Sequence, residues 1–150
     1  MSDLQELYQN LIIDHSRSPK NFGVLENATI KNRGVNPICG DELTLYLLEE
    51  DGIIKDVKFT GVGCAISTAS ASLMTETIKG KTREEAEKVF DAVHQLITGK
   101  LVEKPEVLGK LMALKGVSAY PMRVKCASLS WHALKSALHY QQEPVSTEHE

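Results

Sequence analysis

At 150 residues, 42% hydrophobic and 25% charged, the chain reads as one soluble globular domain that can bury a core without staples. A net charge of -3 with no basic block gives nucleic-acid binding no support, and no apolar run is long enough to span a membrane. Three cysteines without a C-x-x-C argue against a disulfide framework, and no basic-then-apolar stretch follows Met1, so the expected location is the reducing cytoplasm.

Ser2-Asp3-Leu4-Gln5 reads as a capping box. Leu4, Leu7, Tyr8, Leu11, Ile12 and His15 follow at helical spacing and predict an amphipathic helix over about Asp3–His15, stopped before Pro19. Ser18 to Gly23 is a loop. A short strand is expected over Ala28–Arg33, and a clearer one over Leu43–Leu48, with Leu43, Leu45 and Leu47 on one face. Asp51-Gly52 signals a hairpin. The returning strand is Ile53–Phe59, with Ile53, Lys55, Val57 and Phe59 sharing a face.

Helices follow. Ala65–Lys79 is rich in small residues, which let backbones approach closely, and Gly80 ends it. Thr82-Arg83-Glu84-Glu85 is a second capping box, ahead of a helix carrying Ala86, Val89, Phe90, Val93 and Leu96 that ends at Gly99. Pro105 opens a short helix with Val107, Leu108, Leu111 and Met112, closed by Gly116. The last helix is expected over about Arg123–Tyr140, with Val124, Ala127, Trp131, Leu134 and Leu138 as its apolar stripe. Strands first and helices after give an α+β class: a small three-stranded antiparallel sheet with helices packed on one face. The domain is expected over residues 1–140, with 141–150 as a polar, frayed C-terminal tail.

A lone cysteine is more often packing than chemistry. Context lowers that expectation here. Cys39 sits between Pro37-Ile38 and Gly40-Asp41, a turn composition, and Asp41 is placed to face the same ion. Cys64 follows Gly61-Val62-Gly63 and precedes a helix, whose N-terminal N–H groups favour a thiolate. Cys126 lies near the start of the last helix, with Arg123 on the same face and Lys125 beside it, and positive charge also favours the thiolate. Three thiolates and one carboxylate suit tetrahedral Zn²⁺, although the spacing matches no zinc finger. Arg123 is read equally as electrostatic support for this site and as a structural ion-pair partner. His15 is read as solvated or capping, with a ligand or proton-transfer role as the alternative. His94, His132 and His139 are read as surface residues, and Ser67, Ser70 and Ser72 lack a hydrolase motif.

Asn-Pro-Ile-Cys-Gly-Asp (36–41), Gly-Val-Gly-Cys-Ala-Ile-Ser-Thr-Ala-Ser-Ala-Ser (61–72) and Arg-Val-Lys-Cys-Ala-Ser-Leu-Ser-Trp (123–131) together resemble the U-type iron–sulfur assembly family of IscU, the NifU N-terminal domain and SufU. The resemblance runs from Leu7 to about Leu138 and is nearest to the SufU branch. IscU scaffolds carry a histidine where this chain has Lys125, and an L-P-P-V-K chaperone motif where it has Ala119 to Lys125. The segment from about Gly99 to Gly116 resembles the SufU helical insertion.

The resemblance implies that Cys39, Asp41, Cys64 and Cys126 bind one Zn²⁺, with Asp41 as electrostatic tuner. It implies a SufS-type cysteine desulfurase as partner, and Cys39 as the sulfur acceptor, freed when a desulfurase side chain replaces it on the metal. Downstream iron–sulfur assembly proteins would then take the sulfur. Two other readings use the same residues: a scaffold that binds iron and builds an Fe–S cluster, and a purely structural zinc domain.

Overall fold

The structure is a computed structural model and describes residues 3–139 and 145–147. The first helix, α1, spans Asp3–Arg17. The Ser2 cap that would open it lies outside the described residues. Three strands follow: β1 (Ile30–Asn36), β2 (Asp41–Glu50) and β3 (Ile53–Val62). They form the expected antiparallel meander, with β2 between the other two. Asp51 and Gly52 both have positive φ, which the tight β2–β3 hairpin requires.

Two strand expectations change. β1 begins two residues later than Ala28 and runs three further than Arg33. Its inward residues are Ile30, Asn32, Gly34 and Asn36, so no apolar alternation announces it. In β3, Lys55 does not share the inward face. A register shift after Leu48 pairs Leu48 with Asp56 and Glu49 with Ile54, leaving Lys55 as the extra, exposed residue. The bulge turns Ile54 inward beside Val57 and Phe59.

Helices α2 (Ala65–Ile78), α3 (Arg83–Ile97) and α4 (Pro121–Leu138) follow the sheet. α2 packs on β3 and α4 on β1 and β2, while Lys31 and Arg33 point to the exposed face. The small residues of α2 are buried between α1 and α4, and Ser70 ties the interface. The Trp131 indole N–H donates to Ser70 Oγ (3.0 Å), which donates to the Ala127 carbonyl (2.6 Å). The Thr82–Glu85 capping box forms as expected. On α4, Ala127, Trp131, Leu134 and Leu138 are all core.

The stretch between α3 and α4 is 3₁₀ rather than α-helical: a turn at Pro105–Val107 and a longer segment over Gly109–Ala119. Gly116 does not close it. Leu108, Leu111, Leu114 and Val117 recur every third residue and all are buried, the repeat a three-residue turn stacks on one face.

The tail also departs from expectation. Val145–Ser146 form β4, which pairs in parallel with Gly34 and Val35 at the free edge of β1. Thr147 behind it is buried. Tyr140 to Pro144 and Glu148 to Glu150 lie outside the described residues. No helix among the described residues is long and apolar enough to cross a membrane.

Candidate metal centre

Three separate elements meet at one end of the sheet. The Asn36–Asp41 pair closes the β1–β2 ladder, and residues 37–40 form the turn beyond it, with Gly40 supplying a φ of +73°. This turn carries Cys39 at the surface and sets Asp41 inside, 1% exposed. Cys64 is the N-cap of α2, exposed, with its sulfur accepting the Ser67 N–H at 3.4 Å. Cys126 comes from the second turn of α4 and is buried.

The Cys39 and Cys126 sulfurs are 3.5 Å apart, and with an Asp41 oxygen they form a set of donor atoms all within 4.8 Å of one another. The Cys64 sulfur stands at the edge of this set, 3.9 Å from Asp41 Oδ2. Asp41 is held from both sides: Oδ1 accepts the Cys64 N–H (2.8 Å) and Oδ2 accepts Asn36 Nδ2 (3.1 Å). The same Asn36 amide donates to the Cys126 sulfur at 3.6 Å. A Cβ at Gly63 would stand 2.8 Å from Asp41 Oδ1, so a side chain there would occupy the carboxylate's space.

The residues fit a cation. A buried carboxylate is costly without a partner charge, and among the described residues no cationic side chain pairs with Asp41. Around it stand soft sulfur donors, a combination that suits Zn²⁺ or iron. Burial pushes the Cys126 thiol well above the usual thiol range, helped by hydrogen bonds with Cys64, Cys39 and Asp41 and by the charge of Cys64. A cation bound at this point would supply the charge that the cluster lacks.

Other candidates fall elsewhere. Arg123 is exposed and its guanidinium lies 4.6 Å from the Tyr120 ring centroid, a cation–π stack. Lys125 is half-buried. His15 is not solvated but 5% exposed, with Nδ1 2.6 Å from Ser72 Oγ and Nε2 3.5 Å from Glu76 Oε1. His94 and His132 are half-buried against the Phe90 ring, and among the described histidines only His139 is exposed, beside Glu87. Sequence reasoning missed Asn36 as a partner of two site residues. The only signal was its place at the head of the Asn36–Asp41 block.

Residues 7–141 match the profile of the NifU-like N terminal domain family. The zinc-dependent sulfurtransferase SufU of Bacillus subtilis is 42% identical over 137 residues, covering 91% of this chain and 92% of that protein. The iron–sulfur cluster assembly scaffold protein IscU of Thermotoga maritima is 42% identical over 132 residues, covering 88% and 92%. A crystal structure described as a putative iron–sulfur cluster assembly scaffold protein for the SUF system, from Fervidobacterium islandicum, superposes with a TM-score of 0.83 at 43% identity, covering 89% and 98%.

Proposed function

The chain belongs to the NifU-like N-terminal domain family, and we propose that it serves iron–sulfur cluster assembly as a zinc-bound sulfur acceptor. Cys39, Asp41, Cys64 and Cys126 hold the ion, and Cys39 takes sulfur from the persulfide of a cysteine desulfurase. One observation carries the division of labour. Cys39 is exposed on a turn, whereas Cys126 is buried and Cys64 is tied to the first turn of α2.

Bound Zn²⁺ supplies positive charge that keeps its cysteine ligands deprotonated. The rest belongs to the chain's own residues. Asp41, clamped by the Cys64 N–H and the Asn36 amide, fixes one donor. Cys126 holds a second from below the surface. The Cys39 thiolate, on its exposed turn, attacks the outer sulfur of the donor persulfide. A sulfur–sulfur bond forms at Cys39 as the donor's own sulfur–sulfur bond breaks, and the donor cysteine leaves as a thiolate. Oxidation states balance without an added oxidant or reductant.

The scaffold reading keeps the same donors and takes iron and sulfide as cargo. The Thermotoga relative, named as a scaffold, matches at the same identity as the named sulfurtransferase, so the overall likeness favours neither. Lys125, where the scaffold branch carries histidine, supports the acceptor. The test uses a SufS-type desulfurase. Cys39→Ala is expected to keep the fold and to abolish stimulation of cysteine turnover. Full stimulation by that variant contradicts the acceptor role. A stable chromophore after anaerobic reconstitution, transferable to an apo-acceptor, favours the scaffold.

A further inference from the structure

Asn36 is completely buried, and every polar atom of its side chain is engaged. Its Nδ2 donates to Asp41 Oδ2 at 3.1 Å and to the Cys126 sulfur at 3.6 Å. Its Oδ1 accepts a hydrogen bond from Thr147 Oγ1 at 2.9 Å. Thr147 is 1% exposed and directly follows β4, the strand that pairs with Gly34 and Val35 just before Asn36. We propose that Asn36 and Thr147 are positioning residues of the metal centre, a relay through which the C-terminal strand orients Asp41 and Cys126. The proposal rests on the metal-binding reading given above.

The physical argument turns on the planarity of the amide. A buried asparagine has two orientations related by a half-turn, and a partner that can only accept or only donate decides which is adopted. The Asp41 carboxylate only accepts, so both N–H groups face the site and Oδ1 is turned to the tail, where the Thr147 hydroxyl donates to it. The reversed orientation would turn a carbonyl oxygen toward a carboxylate oxygen and a sulfur, acceptors set against an acceptor. The Thr147 hydroxyl therefore satisfies the buried carbonyl oxygen in the orientation that two ion-binding atoms need, and without it that orientation leaves Oδ1 buried and unpaired. Residues of this outer kind hold ligands in place and commonly change metal affinity by about 10–100-fold when removed.

A relay of this kind differs from a simple edge pin in what it controls. A pin would stabilise the sheet with or without an ion. The relay acts on the donor set, so its loss is read in the ion's affinity and coordination. It also joins the tail to the chemistry: anything that peels β4 from the β1 edge removes the donor and loosens two of the four donors together.

The test uses the full chain, metal-free, titrated with zinc against a chromophoric chelator, and with cobalt as a spectroscopic probe. Thr147→Val keeps the shape of the side chain and removes the donor, Thr147→Ala removes it without added bulk, and Thr147→Ser retains it. The valine and alanine variants are expected to bind zinc about tenfold or more weaker and to shift the visible cobalt bands, with serine restoring both. Thermal melting of the metal-free forms monitors the fold. Unchanged zinc affinity and cobalt bands in the valine and alanine variants, whatever their melting points, would overturn the relay. Failure of the unsubstituted chain to bind zinc would instead overturn the metal-binding reading beneath it.

Discussion

In the proposed metal centre, Asp41 is the one carboxylate. It is buried, accepts from the Asn36 amide and the Cys64 N–H, and sits against the backbone of Gly63. Gly63→Ala sets a methyl group 2.8 Å from Oδ1, so the carboxylate must shift and its hydrogen bond from the Cys64 N–H is strained. Zinc affinity should fall about 10–100-fold while the metal-free melting point changes little; chelator competition and thermal scans measure the two. That Cys39, Cys64, Cys126 and Asp41 come together at one end of the sheet was legible in their turn and helix-start settings, and their binding of an ion is the proposal. The Asn36 and Thr147 contributions were not legible. Their hydrogen bond links residues from opposite ends of the chain, and nothing local to either announces it.

Elements were legible where their period was local. The α3 capping box and the Asp51-Gly52 turn lie within a few residues. The bulge at Lys55 and the third-residue repeat from Leu108 to Val117 were misread, because a strand alternation or a helical stripe was assumed across them. α1 was placed correctly, but its attachment was not. His15 docks it to α2 through Ser72, and the Lys20 N–H donates to the same Ser72 oxygen at 2.7 Å. Burial lowers the His15 pKa below its ordinary 6.5, with Lys110 and Lys20 adding to the effect and Glu76 and Asp14 opposing it. The folded state therefore favours the neutral ring. Its contribution to stability is fully present above pH 6.5 and is lost as pH falls below that value, because the unfolded chain takes up the proton more readily. Urea unfolding measured across this range should show that loss, and His15→Gln should flatten it.

At the scale of the whole molecule, the α+β class was legible because β1, β2 and β3 run consecutively instead of alternating with helices. The fourth strand was not, since a two-residue segment at a sheet edge has no pattern of its own. The apolar cluster of sheet, α2, α3, α4 and the 3₁₀ segment is continuous without any of the three cysteines as a member. Chelation should therefore lower the melting temperature through lost ion binding while leaving cooperative unfolding and helical circular dichroism intact. A chain that unfolds on chelation would support the structural zinc reading instead.

The central claim is that Cys39 is the acceptor and the other three donors are not. The direct measurement is anaerobic incubation of the zinc-loaded chain with a desulfurase and cysteine, followed by alkylation and peptide mass mapping. The account predicts the added mass of one sulfur atom on the peptide carrying Cys39. The same mass on the peptide of Cys64 or Cys126, with Cys39 unmodified, would contradict it.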